Sequence, residues 1–147
     1  MKIKWQFGDE GPIIKDAHAL REKVFIKEQN VTEAEEIDGY DSQCWHIVCY
    51  LDDEAVATAR VSFLSDTQLK IQRVCVDSSK RGLSIGQQML AEIERWAKEK
   101  QVAALVLSSQ DHVIPFYEKS GYVISNPQGY LDARIPHHDM QKRLDIS

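Results

Sequence analysis

The segment that most constrains the fold joins a strand, a short basic loop and a long amphipathic helix between residues 74 and 99. The loop reads RGLSIG at residues 81–86, so one arginine precedes two spaced glycines. Apolar residues then recur every three or four positions, which is the spacing of one face of a helix. That face comprises Ile85, Met89, Ile93, Trp96 and Ala97. The segment therefore predicts a helix whose first turn opens at the end of a strand.

Such a helix start can bind an anion. Its first N–H groups lack intrahelical partners, and they lie at the positive end of the helix dipole. Gly82 and Gly86 let a ligand approach the backbone, and Arg81 can add a charged clamp on phosphate oxygens. The loop lacks the Gly-Lys-Ser/Thr of a P-loop and the Gly-x-Gly-x-x-Gly of a dinucleotide fold. From the residues alone, a purely structural turn is an alternative of equal weight.

The order of the remaining elements indicates an α+β fold built on a mixed sheet. Alternating or β-branched stretches predict strands at residues 2–7, 45–51, 55–64, 69–76, 104–109, 122–124 and within 133–144. Helical spacing predicts helices at residues 13–25, 85–99 and 112–120, the last stopped by Gly121. Residues 27–42 fit either a short helix or an irregular acidic loop.

Composition bounds the class of protein. A chain of 147 residues with 43% hydrophobic residues predicts a single domain over residues 1–147. A net charge of -5 argues against a nucleic-acid partner, and no apolar run is long enough for a membrane span. Residues 1–7 alternate charged and bulky side chains, which fits neither a signal peptide nor a transit peptide. Three cysteines without a pairing pattern favour the cytoplasm. Cys44, His46 and Cys49 could ligate zinc, but their spacing matches no usual zinc site. They fit a partly buried strand better, so no metal is predicted.

A second segment makes the chain resemble a known family. The sequence FYEKSGY at residues 116–122 is similar to a signature of the GCN5-related N-acetyltransferases (GNAT), and RGLSIG resembles their pyrophosphate loop. The ElaA-like branch is indicated by VFIKEQN at 24–30, IDGYD at 37–41, His46, the Gln pair at 87–88 and IPHHDM at 135–140. The resemblance covers nearly the whole chain.

The resemblance implies a mixed, mostly antiparallel sheet, flanked by helices, whose central parallel strands splay apart to hold acetyl-CoA. It implies that strand 69–76 holds the pantetheine arm, that a backbone N–H near Cys75 polarises the thioester carbonyl, and that the loop takes the pyrophosphate. The implied cofactor-binding residues are Val74, Cys75, Val76, Arg81, Gly82, Leu83, Ser84, Ile85, Gly86, Gln87, Gln110 and Phe116. Two residues depart from the family pattern: Ser84 replaces the middle loop glycine, and Gln110 replaces an Asn.

The resemblance also implies catalytic roles. Tyr117 corresponds to the residue that protonates the departing CoA thiolate. The alternative is a structural role, in which Tyr117 only packs on the sheet. Cys75 fits a packing residue better than a nucleophile, because the family transfers the acyl group directly in a ternary complex.

The acceptor side of the site is less constrained. An attacking amine must lose a proton, and Glu28, Asp38 and His46 are candidates to bind it or accept that proton. An Asp38 carboxylate beside His46 would fix the tautomer of the imidazole ring. The alternative is a structural role, in which Asp38 caps the turn through its own backbone. The acidic residues Glu33, Glu35 and Glu36 could attract a cationic amine. Of the adjacent His137 and His138, at most one lines the pocket, and His138 is assigned to the acceptor.

The sequence therefore predicts an N-acetyltransferase that uses acetyl-CoA and acts on a small-molecule or peptide amine. A non-catalytic acyl-CoA-binding module is the alternative from another class. An acyltransferase for longer acyl chains, as in the fold-related acyl-homoserine-lactone synthases, is a second alternative. The oligomeric state, a homodimer included, stays open.

Overall fold

The computed structural model describes residues 1–29, 31–32 and 38–145 of the chain. These residues form an α+β fold with eight strands, mostly antiparallel, and three α-helices. Two compact units divide the chain: Met1–Ser62 with Arg73–Met89, and Phe63–Gln72 with Leu90–Ser147. The predicted fold class is confirmed.

The first unit contains an antiparallel meander. Strands β1 (Lys2–Phe7) and β2 (Trp45–Leu51) pair in antiparallel register, and β2 pairs with β3 (Glu54–Phe63), whose last residue belongs to the second unit. Asp52 and Asp53 join β2 to β3 with φ values of 49° and 64°. Two successive left-handed residues match the twist of a tight hairpin, and Asp tolerates this conformation better than most residues. The predicted strands are confirmed to within one residue at each end.

Helix α1 (Pro12–Arg21) packs on the meander through buried Ile14 and Ala17, which form a cluster with Val48 of β2. The predicted helix to residue 25 is wrong in its last turn, because α1 gives way to a π-helix over Glu22–Glu28. There the amide of Gln29 donates to the carbonyl of Val24 at 3.1 Å. Hydrophobic spacing over a single turn cannot distinguish this wider hydrogen bonding from an α-helix.

Strand β4 (Gln68–Val76) passes from the second unit to the first, and helix α2 (Ile85–Glu99) passes back. In the second unit, β4 runs parallel to β5 (Ala104–Gln110), and their register joins Gln68–Ile71 to Ala104–Leu107. Parallel pairing is therefore confined to the first half of β4. Arg73, two residues later, has φ 56°, which breaks the regular pleat of the strand.

In the second unit, β5 pairs with β8 (Ile135–Arg143) in antiparallel register. Strand β8 also pairs antiparallel with β6 (Val123–Ile124) and β7 (Tyr130–Asp132). The predicted helix at 112–120 is a 3₁₀ turn, Asp111–Val113, followed by α3 (Ile114–Glu118). Gly121 ends this segment with φ 92°, as predicted. The final strand predicted within residues 133–144 is confirmed as β8, and Ala133 and Arg134 are left-handed turn residues between β7 and β8.

Within the described ranges, no helix has both the length and the apolar character that a membrane span requires.

Candidate functional site

The loop between β4 and α2 is built around a buried aspartate. Asp77, 3% exposed, accepts a hydrogen bond from the Ser79 amide at 3.2 Å, and its own amide donates to the Val56 carbonyl at 2.8 Å. Lys23 donates to the same carboxylate at 3.0 Å and lowers its pKa. This fixes a short 3₁₀ turn, Ser78–Lys80, directly before the predicted anion loop.

The loop residues 81–84 are exposed and have an unusual backbone. Gly82 has φ 87°, and Ser84 has φ 63°, so Ser84 adopts the left-handed conformation that a glycine would adopt more readily. The first bond of α2 runs from the Gln88 amide to the Ser84 carbonyl at 3.0 Å. By helix geometry, the Ile85 and Gly86 amides therefore have no carbonyl one turn earlier within α2. With the helix dipole and the Arg81 charge, this donor set fits a phosphate group.

Arg81 is bound to a carboxylate in this structure. Its two terminal nitrogens donate to the two oxygens of Glu28 at 2.5 and 3.0 Å, and its Nε donates to the Val76 carbonyl at 3.2 Å. The hydrogen bonds that Arg81 donates to Glu28 raise the pKa of Arg81. Thus a residue predicted for the cofactor and a residue predicted for the acceptor are joined as an ion pair.

The end of β4 has one buried and two half-buried side chains. Cys75 is 4% exposed and packs with Leu20 and Val24, whereas Val74 and Val76 are half-buried. This packing favours a structural role for the Cys75 thiol over a nucleophilic one. Of the other predicted loop residues, Leu83 is exposed, Ile85 and Gly86 are buried, and Gln87 is half-buried.

The Asp38 carboxylate is bound by two arginines. Arg60 donates to its two oxygens at 2.9 and 2.7 Å, and Arg73 donates at 3.2 Å. The Arg60 hydrogen bond is the main reason why the pKa of Asp38 falls to about 2. Asp38 also accepts a bond from the Tyr40 amide at 3.1 Å, which confirms the turn-capping alternative.

The predicted Asp38–His46 pair is wrong. The His46 Nε2 atom lies 3.0 Å from the backbone carbonyl of Asp41, and the Asp38 carboxylate is used by Arg60 and Arg73. His46 is 1% exposed, and burial lowers the pKa of its imidazole. Because two arginines hold the Asp38 carboxylate and the buried His46 ring lies against a backbone carbonyl, their arrangement suits a scaffold better than a proton relay.

Asp41 is the centre of this scaffold, and sequence reasoning missed it. Its carboxylate accepts bonds from Arg21 at 2.9 Å, Arg60 at 3.1 Å and His18 at 2.8 Å. Burial alone would raise the pKa of Asp41, but the hydrogen bonds and charge of Arg21, with His18 and Arg60, hold it well below its usual range. Arg60 could have indicated this carboxylate, because Arg60 is a charged residue inside an apolar strand. A buried charge needs an oppositely charged partner nearby.

The predicted acidic attraction of the acceptor by Glu33, Glu35 and Glu36 lies outside the described residues. Cys44, Cys49 and Cys75 are buried free thiols. The described part of the chain contains no group of three or more His, Cys, Asp or Glu side chains that could hold a metal ion.

Tyr117 lies on α3 in the second unit and is 6% exposed. Its ring contacts two other aromatic rings edge-on, Phe116 at 5.0 Å and Tyr122 at 5.8 Å between centroids. These contacts hold the ring in place. A fixed ring is compatible both with a proton donor and with the alternative of a tyrosine that only packs on the sheet. Burial raises the pKa of the neighbouring Tyr122.

The end of β5 in this unit collects polar side chains. Gln110 precedes the 3₁₀ turn, and Ser109 pairs in register with His138 of β8. His138 Nδ1 lies 2.6 Å from Asp111 Oδ1, a partner that sequence reasoning did not identify, and this bond raises the pKa of His138. His137 is turned to the other face and is buried, with its Nδ1 2.7 Å from the Ile135 carbonyl. The two histidines therefore point to opposite faces, as predicted.

Comparisons with known proteins agree with this arrangement. The Acetyltransferase (GNAT) domain family matches residues 7–144. YjcF of Bacillus subtilis, named an uncharacterized N-acetyltransferase, is 37% identical over 88% of this chain and 91% of its own length. ElaA of Escherichia coli is 34% identical over 85% of this chain and 84% of its own.

Solved structures give the same result. The crystal structure of Escherichia coli ElaA has a TM-score of 0.82 at 29% identity, covering 96% of this chain and 99% of that one. An acyl-CoA N-acyltransferase from Pseudomonas aeruginosa has a TM-score of 0.83 at 25% identity, covering 96% and 98%. The chain thus belongs to the GNAT family, on its ElaA-like branch, and is an acyl-CoA-dependent acetyltransferase.

Proposed function

We propose that this enzyme moves an acetyl group from acetyl-CoA to a primary amine of a small molecule or peptide, by direct attack of the amine. The observation that carries the proposal is the loop at residues 81–86. An exposed arginine, two left-handed residues and the first amides of a 15-residue helix lie together there. This donor set suits the diphosphate of coenzyme A.

The residues proposed to hold the cofactor are those implied by the family pattern. Amides of residues 81–86 bind the diphosphate, and backbone groups of Val74 and Val76 hold the pantetheine arm as an added strand. Gln110 and Phe116 are the further cofactor residues that the family pattern implies. When bound, acetyl-CoA supplies an activated thioester, whose carbonyl is polarised by a backbone N–H near Cys75.

We propose that Tyr117 donates its hydroxyl proton to the sulfur of the departing thiolate. Its ring is held by Phe116 and Tyr122, which limits the rotamers that it can adopt. A fixed donor improves proton transfer because less reorganisation is needed at the moment of reaction.

On the acceptor side, we assign Glu28 and His138 to amine binding, and Asp38 and His46 to the wall that shapes the site. A carboxylate whose pKa lies near 2 is a weak base at neutral pH, and a buried imidazole is poorly placed to exchange protons with solvent. The buried free thiols fit the reducing cytoplasm, where we place the activity.

A panel of amines tests this function. Purified enzyme is incubated with acetyl-CoA and polyamines, amino sugars, arylalkylamines or lysine peptides, and free thiol is measured with mass detection of N-acetyl product. We expect amine-dependent thiol release for at least one cationic primary amine. Binding of acetyl-CoA without transfer to any amine class would support the non-catalytic binding module instead.

In the same assay, Tyr117→Phe keeps the ring and removes the proposed acid. We expect kcat to fall about 100-fold, while the Kd for coenzyme A changes little. Tyr40→Phe is the matched control, because Tyr40 is 59% exposed and has no proposed role in the reaction. Equal turnover of Tyr117→Phe and wild type would assign the proton to another donor.

A further inference from the structure

The strongest feature that the proposed reaction does not use is the ion pair between Glu28 and Arg81. Glu28 is the last residue of the π-helix, and Arg81 opens the anion loop. The pair is bidentate, with N–O distances of 2.5 and 3.0 Å, and Arg81 Nε is bound to the Val76 carbonyl. All three nitrogens of the guanidinium are therefore engaged.

A carboxylate and a phosphate make the same demand on an arginine. Each takes two parallel N–H bonds from the planar fork, so an end-on phosphate needs the two nitrogens that now bind Glu28. A Glu28 carboxylate left beside a diphosphate would also repel it, because both groups are negative.

We propose that Glu28 is an internal competitor for the coenzyme A diphosphate, so that cofactor binding displaces the Glu28 carboxylate from Arg81. The inference rests on the proposed function, which assigns the diphosphate to this loop. Both partners are partly exposed, at 45% for Arg81 and 38% for Glu28. Exposed pairs are weak, so a more highly charged phosphate group can replace the carboxylate at little cost.

The exchange links the two sides of the reaction. Glu28 is also the carboxylate assigned to the cationic acceptor, and it is neutralised by Arg81 until the diphosphate arrives. Binding of the cofactor then releases a negative charge that can attract an ammonium group. A ligand that lacks the diphosphate leaves the pair intact.

The test compares two ligands on two variants by isothermal titration calorimetry. Coenzyme A carries the diphosphate and the 3′-phosphoadenosine, and pantetheine is the same arm without either group. Glu28→Gln keeps the side-chain shape and removes the charge. We expect Glu28→Gln to bind coenzyme A about two- to five-fold more tightly than wild type, and pantetheine equally. Glu22→Gln is the matched control, because it removes a charge from the same π-helix at a site 3.8 Å from Lys27, and we expect no change.

A second background isolates the exchange from general charge effects. In Arg81→Gln, the further change Glu28→Gln should tighten coenzyme A binding by less than it does in wild type, since no guanidinium remains to compete for and only the charge repulsion is relieved. Equal or weaker binding by Glu28→Gln, tighter binding that extends to pantetheine, or tightening that is equally large in Arg81→Gln would each overturn the exchange. If wild type binds coenzyme A more tightly than pantetheine and Arg81→Gln reduces that preference, the proposed diphosphate site stands whatever Glu28→Gln does. If wild type binds the two ligands equally, the site and the exchange both fail.

Discussion

At the scale of single residues, the main departure from expectation is the destination of the Asp38 carboxylate. Sequence proximity suggested His46, but Arg60 and Arg73 bind Asp38 instead. An arginine fork satisfies both carboxylate oxygens at once, which a single imidazole nitrogen cannot do. The partner could not be read from the sequence because it depends on the register of β3 against β2, where Arg60 lies opposite His46.

The Asp38 environment predicts how stability depends on pH. Its pKa is depressed from 3.8 to about 2 in the folded chain, so its stabilising effect is complete above about pH 5 and is lost progressively as pH falls toward 2. Because Asp38 is partly exposed, solvent screening reduces its contribution to about 1 kcal/mol, and Asp41 acts in the same direction. Urea denaturation should therefore give a free energy of unfolding that declines steeply as pH falls below about 4.

The variant Asp38→Asn should be less stable at pH 7 and should have a shallower acid decline. Asp53→Asn, in the exposed left-handed turn after β2, is the control and should keep the wild-type profile. Parallel acid profiles for wild type and Asp38→Asn would show that the Arg60 pair contributes nothing to folding.

Ser84 shows where reading the family pattern was most useful. The sequence places a serine where the family has glycine, and the structure gives that serine a left-handed backbone. The loop shape is thus kept although a β-carbon makes it less favourable. Backbone conformation, more than residue identity, explains why the loop resembles an anion site.

At the scale of secondary-structure elements, the hairpin of β7 and β8 was missed for a specific reason. Hairpin prediction depends on Gly, Asn or Asp at the left-handed positions of the turn, but here those positions are Ala133 and Arg134. The predicted glycine stop at Gly121 was correct, because a left-handed residue after a helix is most easily a glycine.

Gly121 gives a prediction at this scale. A β-carbon there would lie 3.2 Å from Cε of Lys142, whose amine bridges Glu94 at 2.8 Å and the Ser120 carbonyl at 2.7 Å. With φ 92°, Gly121→Ala should lower the free energy of unfolding by about 1–2 kcal/mol. Thermal denaturation measures this, with exposed Lys119→Ala as control. A melting temperature equal to that of the control would mean that the cap is not under strain.

At the scale of the whole molecule, the order of elements was predictable and the contacts between side chains were not. Hydrophobic spacing located β1 to β5 and α2, since each buries a regular face. The ion pairs of Asp41 with Arg21 and of Arg81 with Glu28 join residues 20 and 53 positions apart. Their partners depend on tertiary geometry that no local pattern encodes.

The central claim is that the loop at residues 81–86 binds the coenzyme A diphosphate. The most direct measurement is the acetyl-CoA-induced shift in melting temperature of wild type and Gly86→Val, with Gln88→Val as an exposed control in the same helical turn. At a ligand concentration about 100 times Kd, stabilisation of about 2.7 kcal/mol should raise the wild-type Tm by roughly 5–10 °C. We predict that Gln88→Val retains this shift and that Gly86→Val, while still unfolding cooperatively, loses it. An undiminished shift in Gly86→Val would contradict the account and reduce the loop to a structural turn.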